Sequence, residues 1–402
     1  MLKKLYSVLS NNFYFCLFYL FASLSFVTIL NEIPYINLLS KVALVWGLAL
    51  SVVHIIKIIK RYPTLIELSL YIFLGFTLII NLIFYRSIEN LKIWLVTFII
   101  LSSVFYINLD KSHDQLEKEL KIISNFIAIF TFIFSLASTI MYFANITFTF
   151  ASGVYGVDQG LYIYKNSLAI SASIGLLVSV YMSVKYKYEK TKFFHLLNVM
   201  LQIIPLVFSN GISAYLLIIT ILFVLIFIKF KNKIFRSAMI LVPSIFSIAG
   251  FALFHEKLYD FLSGRNELWS SAWLSIKENP LFGVGNEALV SKVDSMRPGV
   301  VLPGIDSGGL HNMYLQIITV NGVIALILFL IFIYFIFIFL IKKLDRSYGI
   351  YKRSGIVLLS LLVGILFINL FESNLIYIVS FISIIFWIYL GYFLSLTFKK
   401  NH

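Results

Sequence analysis

Twelve long, uninterrupted apolar runs set the terms on which this 402-residue chain can fold. They lie near residues 13–30, 38–58, 64–85, 91–109, 120–142, 167–184, 193–209, 212–229, 236–254, 312–341, 354–371 and 374–397. A helix of about 20 apolar residues crosses a bilayer. The runs are continuously apolar rather than alternating, so they do not fit the strands of a barrel. Only 12% of the residues are charged, about half the share in soluble proteins. A soluble fold of this length could not hide so much apolar surface. The expectation is an all-α, polytopic transmembrane helical bundle of about 12 spans, residues 1–402 forming a single integral membrane domain. The run at 312–341 exceeds the bilayer's need and must tilt or project. Runs seven and eight are separated only by Asn210 and Gly211, the mark of a tight helical hairpin. Lys3 and Lys4 ahead of the first run, with no small-residue cleavage site after it, point to an uncleaved first helix.

Orientation follows from Lys and Arg, which gather on the cytoplasmic side. With a cytoplasmic N-terminus and alternating loops, only nine of the 32 fall outside: Lys41, Arg86, Lys92, Lys165, Lys257, Arg265, Lys277, Lys292 and Arg297. Five of those nine sit in one long loop, and long loops count least in this rule. Both termini are expected to be cytoplasmic. The net charge of +14 then reads as a topology signal, and no nucleic acid partner is expected.

The long loop, residues 255–311, is extracytoplasmic in this topology. It holds Pro280, Pro298 and Pro303 together with Gly283, Gly285, Gly299, Gly304, Gly308 and Gly309. Loops this long are usually functional or disordered. Asn266–Asn279 has a helical period, with Leu268, Trp269, Ala272, Trp273 and Ile276 on one face. The two tryptophans suit a helix lying at the membrane interface.

Polar side chains collect on the same outer side. Arg265 opens the loop helix, and His311-Asn312 follow the Gly308-Gly309 pair where span ten begins. Lys165-Asn166 open span six, Glu372 lies between the last two spans, and Arg86 and Lys92 flank the turn between spans three and four. Helix N-termini in one leaflet, with several cations, suit a diphosphate group. Taken singly, Arg265, Lys165 and Lys92 also fit the role of interfacial anchors, and His311 that of a structural residue. His54 and His195 fall at cytoplasmic helix ends and read as structural, whereas Glu67, one turn into span three, has no evident role. The single cysteine, Cys16, excludes an intramolecular disulfide, and no Cys/His cluster has metal-ligand spacing. Gly283-Val284-Gly285 follows no strand and opens no dinucleotide-binding unit. No metal and no cofactor are expected.

Four segments carry a resemblance. Ser263-Gly264-Arg265-Asn266-Glu267-Leu268-Trp269, Glu278-Asn279-Pro280-Leu281-Phe282-Gly283-Val284-Gly285, His311-Asn312-Met313-Tyr314-Leu315-Gln316 and Asn321-Gly322 together resemble the O-antigen polymerase and O-antigen ligase superfamily. Its pattern there reads roughly R-x-x-x-W, N-P-L-x-G-x-G, H-N-x-x-L-Q, then a glycine. The likeness covers about 60 residues. Asn166-Ser167-Leu168-Ala169 is similar to the family's Asn-x-x-Ala. Ile212 stands where the family often has an arginine, so Lys165, Arg86 or Lys92 would have to supply that charge.

The resemblance implies a GT-C-like fold and a metal-independent glycosyl transfer on the outer face. The donor would be an undecaprenyl-diphosphate-linked oligosaccharide in the cytoplasmic membrane. Arg265 and His311 would be catalytic, and Lys165, Asn166, Asn312, Glu372, Arg86 and Lys92 substrate-binding. A neutral His311 would accept the acceptor's proton or hydrogen-bond the diphosphate; the sequence leaves both roles open. A composition rich in Ile, Phe, Lys and Tyr suggests a low-GC genome, often of an organism without lipid A. It therefore favours a polymerase of O-antigen or capsule over a ligase. Membrane lipid and a chain-length regulator are the further partners this reading admits. The alternative of another class is a transporter of the same lipid-linked sugar, which calls for repeats, broken helices and midplane charges.

A reporter fused at Ser295 should signal from outside the cytoplasm, and one at His402 from within it. A cytoplasmic signal at Ser295 would put the proposed site in the wrong compartment.

Overall fold

The computed structural model describes residues 7–150, 153–254, 262–305 and 309–399. Lys3, Lys4, His255, Lys257, Gly308 and Lys400 lie outside the described residues. Each of the twelve apolar runs carries a helix. α1 is Asn12–Leu24, α2 Asn37–Lys60, α3 Leu65–Ile80, α4 Ile88–Ile99 and α5 His113–Phe143. A short hairpin follows, β1 (Thr147–Phe150) paired antiparallel with β2 (Gly153–Gly156). Then come α6 (Lys165–Lys185), α7 (Lys192–Phe208), α8 (Ile212–Lys229) and α9 (Lys233–Phe254). The loop holds α10 (Arg265–Glu278) and α11 (Leu289–Ser295), and the chain closes with α12 (Met313–Asp345), α13 (Gly349–Ile368) and α14 (Phe381–Lys399). α3 and α4 each end in a π-helical turn, Asn81–Tyr85 and Ile100–Val104.

Among the described residues, seven helices are long and apolar enough to cross a membrane: α2, α3 with its π turn, α5, α6, α12, α13 and α14. α1, α7 and the stretch Ser213–Lys229 of α8 are apolar but shorter. The chain is a multi-pass helical membrane protein, and these seven helices are the coarser count beneath the twelve expected. α14 runs through the middle of the bundle. Trp387, Phe386 and Tyr389 on it are fully buried, and Trp387 stacks on Phe332 and meets Phe105 edge-on. α5, α6 and α7 are joined by a buried polar file. Ser135 donates to Gln202 (2.7 Å), Gln202 to Asn198 (2.6 Å) and Asn198 to Ser179 (2.8 Å). Hydrogen bonds of this kind fix helix register where no hydrophobic difference exists between lipid and side chain.

The end of the bundle opposite the loop is laced with ion pairs. Arg236 makes a bidentate pair with Asp345 at 2.7 and 2.8 Å. Lys111 meets Glu119 and Lys121 meets Glu189, both at 2.6 Å. Glu67 finds its role here. It closes a capping box with Thr64 at the start of α3 and accepts from Arg61 at 2.5 Å, so its burial is compensated.

The 312–341 run neither tilts whole nor projects as one rod. Gly322, inside α12, has φ 81° and ψ 173°, which breaks the helix. The break frees the carbonyls of Thr319 and Val320, and the loop occupies it. Val284 N–H donates to Thr319 O (2.8 Å), Gly285 N–H to Val320 O (2.9 Å), and Val323 N–H to Pro280 O (2.9 Å). Tyr85 at the end of α3 donates its hydroxyl to Phe282 O and Val320 O. The Asn-Pro-Leu-Phe-Gly-Val-Gly segment is therefore a backbone splint for a broken helix. A Cβ on Gly322 would sit 1.9 Å from Leu281 O, so only glycine admits the splint.

The loop helix corrects an expectation. α10 forms as its period predicts, but most of its apolar face is covered by protein. Leu268 and Ala272 are fully buried against Leu289, Val293, Leu302, Ile305, Leu310 and Val320, a small core separate from that of the bundle. Trp269 packs on this core, whereas Trp273 is exposed. Periodicity identifies an apolar face without saying whether protein or lipid covers it.

Gly322→Ala should cost about 3 kcal/mol or more, from left-handed strain and overpacking together. Gly349→Ala, also at positive φ but with nothing within 4 Å, should cost only about 1 kcal/mol. Thermal unfolding in detergent measures both, and equal shifts would deny the splint its role.

Candidate functional site

The loop end brings together four chain segments, around Asn166, Arg265, His311 and Glu372. Ser263 and Gly264 are both left-handed, φ 54° and 76°. They turn the chain sharply into α10, whose first residue is Arg265. His311 is left-handed too, φ 48°, an uncommon state for a non-glycine residue, although histidine is among those that adopt it more often. It immediately precedes Asn312, the N-cap of α12. Glu372 lies in the irregular stretch between α13 and α14.

Glu372 is the hub. Its Oε1 accepts from Arg265 Nη2 (3.1 Å) and from Asn166 Nδ2 (3.4 Å), and its Oε2 lies 3.3 Å from His311 Nδ1. The Glu372 side chain is 11% exposed, that of Arg265 16% and that of His311 25%, so the cluster is largely withdrawn yet reachable. A carboxylate only accepts, so in a neutral His311 ring the proton sits on Nδ1 and the lone pair on Nε2. Nε2 has no hydrogen-bond partner among the described residues. The ring edge lies over Gly304, where a Cβ would come within 2.5 Å of Nε2.

The backbone around Glu372 also holds α12. Met313 N–H donates to Asn369 O (2.9 Å) and Glu372 O (3.1 Å), and Asn312 N–H to Ser373 Oγ (3.1 Å). Asn312 Oδ1 accepts from Leu315 N–H at 3.0 Å. The N–H groups of Asn312, Met313 and Leu315 are thus already satisfied within the protein. Asn312 spends its carbonyl on capping. The start of α6 is different: its N-cap, Tyr164, makes no side-chain cap. Lys165, the first residue of α6, is exposed and has no ion pair among the described residues.

Arg86 and Lys92 do not join the cluster. Arg86 is itself left-handed and donates to Ile83 O at 3.3 Å, within its own turn. Lys92 pairs with Glu89 at 2.6 Å on an exposed helix face. Sequence reasoning missed Ser373, Asn369, Gly304 and the pairing of Tyr377 with Asn321 (2.5 Å). Only Gly304, after Pro303, and Asn321, before Gly322, carried a local turn signal.

Residues 197–330 match the family model described as O-antigen ligase. The resemblance to the O-antigen ligase and polymerase superfamily is thereby shown. The matched stretch runs from α7 into α12 and contains Arg265, His311, Asn312 and the splinted break. Asn166, Lys165, Glu372, Arg86 and Lys92 lie outside it. No curated protein matches the chain.

Trp269 donates its Nε1–H to Leu310 O at 2.9 Å, one residue before His311. Trp269→Asp should therefore place an unpaired charge in the small core. It should abolish activity and open the loop to proteolysis, while Trp273→Asp at the exposed position should reduce activity less than threefold. Equal losses from the two would show that α10 does not hold His311.

Proposed function

We propose that the chain is a glycosyltransferase-type polymerase of O-antigen or capsule. On this reading it joins undecaprenyl-diphosphate-linked oligosaccharide repeats at the outer face of the cytoplasmic membrane. The supporting observation is the convergence of Arg265, His311 and Asn166 on Glu372 at the loop end, within and beside the stretch that matches the O-antigen ligase family. The full proposal includes about twelve spans in a GT-C-like arrangement, with both termini cytoplasmic.

The chemistry follows from the residues. The hydroxyl oxygen of the acceptor sugar bonds to the donor's anomeric carbon. The bond from that carbon to the diphosphate breaks, and its electron pair leaves on undecaprenyl diphosphate. The hydroxyl proton passes to His311 Nε2. The leaving group carries its own activation, so the site's task is to balance charge and orient the reactants. Arg265 uses one N–H on Glu372 and keeps the rest of its fork for diphosphate oxygens. Lys165 adds a second cation where the family's arginine is replaced by Ile212.

A ligase would use the same donor-side residues and differ in its acceptor. The transporter reading draws on the broken α12, since such folds bind their cargo at broken helices. That break is closed by loop backbone, which takes up the freed carbonyls of Thr319 and Val320.

Arg265→Lys keeps the charge but loses the planar fork, so it should remain strongly impaired. His311→Ala should lower turnover by about 10²–10⁴ while leaving donor binding largely intact. The assay is polymer formation from purified lipid-linked repeats in nanodiscs with EDTA present, and donor binding is measured in parallel. Equal loss of binding and turnover in His311→Ala would make His311 a diphosphate ligand. Normal polymerisation by both variants would return the transporter reading.

A further inference from the structure

We propose that Glu372 is a resident counter-anion: the donor's diphosphate displaces it from Arg265, and its other oxygen then holds His311 as the base. This inference rests on the function proposed above. Glu372 would be a positioning residue rather than a ligand of the substrate, the role its place in the sequence first suggests.

The two carboxylate oxygens have separate duties. Oε1 holds Arg265 at 3.1 Å and Asn166 at 3.4 Å, and Oε2 faces His311 Nδ1 at 3.3 Å. One can be surrendered without disturbing the other. Asn166 is neutral and is drawn to the diphosphate less strongly than Arg265, so Asn166 Nδ2 stays with Oε1 when the guanidinium turns away. The exchange also spares Arg265 an unpaired state. A withdrawn guanidinium without an anion is costly, and Glu372 supplies the anion before the donor arrives. Diphosphate oxygens then match the fork bidentately, which the single bond to Glu372 does not.

After the exchange, Glu372 is left with His311 and Asn166. An ionised carboxylate on Nδ1 keeps the imidazole in the tautomer that presents the Nε2 lone pair. It also stabilises the imidazolium formed when Nε2 takes the acceptor's proton. The order of events follows: Nε2 acquires its full support as a base only when the donor's diphosphate has drawn Arg265 off the carboxylate. Proton acceptance is thereby coupled to donor occupancy.

The backbone makes the idea testable. Met313 N–H is capped by the main-chain oxygens of Asn369 and Glu372, and Asn312 N–H by Ser373 Oγ. None of these bonds uses the Glu372 side chain, so Glu372→Gln leaves the start of α12 capped. The amide of glutamine no longer competes as an anion for Arg265, and it does not support an imidazolium.

The experiment compares wild type, Glu372→Gln, Glu372→Asp and Arg265→Ala in nanodiscs. Undecaprenyl diphosphate is titrated as the binding probe, and turnover is measured on purified lipid-linked repeats. Glu372→Gln should bind the probe as tightly as wild type or up to about tenfold more tightly, and turn over about 100-fold more slowly, within the range of base catalysis. Glu372→Asp, which keeps the charge, should recover part of that turnover. Parallel loss of binding and turnover in Glu372→Gln would make Glu372 a ligand or a strut and overturn the proposal, as would wild-type turnover. Should Glu372→Gln fail to fold, Glu372→Asp decides, and a folded Asp variant that neither binds nor turns over defeats the idea. If Arg265→Ala binds undecaprenyl diphosphate like wild type, the proposed function itself fails, whatever Glu372→Gln does.

Discussion

A helix that breaks within an apolar bundle must find partners for the backbone groups it releases, because lipid offers none. α12 meets that constraint at Gly322 with loop backbone. Val284 and Gly285 donate to the freed carbonyls, Pro280 accepts from Val323, and the Tyr85 hydroxyl closes the joint from α3. Much of the loop end hangs from this splint. It pins the segment after α10, so α10 is fixed at its C-terminal side, while Ser263 and Gly264 fix its start. Arg265 is thus aimed by two restraints lying more than a helix length apart. Asn90 extends the same joint by accepting from Glu287 N–H at 2.9 Å.

The second organising element is a single carboxylate among donors. Arg265 and Asn166 are 107 and 206 residues from Glu372 in sequence and His311 is 61, so the four segments meet only because the helices return them there. The pair formed with Arg265 is mostly buried, where removing one partner costs far more than at a surface. The ion pairs at the opposite end differ in kind. Several are partly exposed, and they tie neighbouring helix ends together rather than form a reachable cluster.

The helices were legible because apolar length is a local property of the chain. Their boundaries were less so: Thr64 with Glu67 and Ser112 with Gln115 form capping boxes whose spacing the sequence holds but the apolar pattern does not show. Arg265 and His311 were legible through motif, and they do share a site. Arg86 and Lys92 show the limit of topology, which assigns a side of the membrane but not a neighbour; each bonds within its own turn. The hub role of Glu372 could not be read from sequence, since a lone glutamate in a turn has no pattern. The break at Gly322 was half legible. Asn-Gly signals a turn, but inside a long apolar run the hydrophobic pattern conceals it. The fate of the α10 apolar face was illegible for a similar reason, because a stripe of Leu, Ala and Trp suits lipid and protein alike.

The small core beneath α10 has a consequence for how such proteins diversify. Leu268, Ala272, Leu289, Val293, Leu302 and Leu310 pack together, and Val320 and Leu315 of α12, with Tyr377, join them to the bundle. Mutations on the outer surface of α11 and the turns around it leave the packing of the spanning helices untouched. Selection can therefore vary that surface at little risk to membrane insertion, while the splint and the carboxylate hub stay under the restraint of their own geometry. The loop core and the spanning bundle thus meet along a seam on α12.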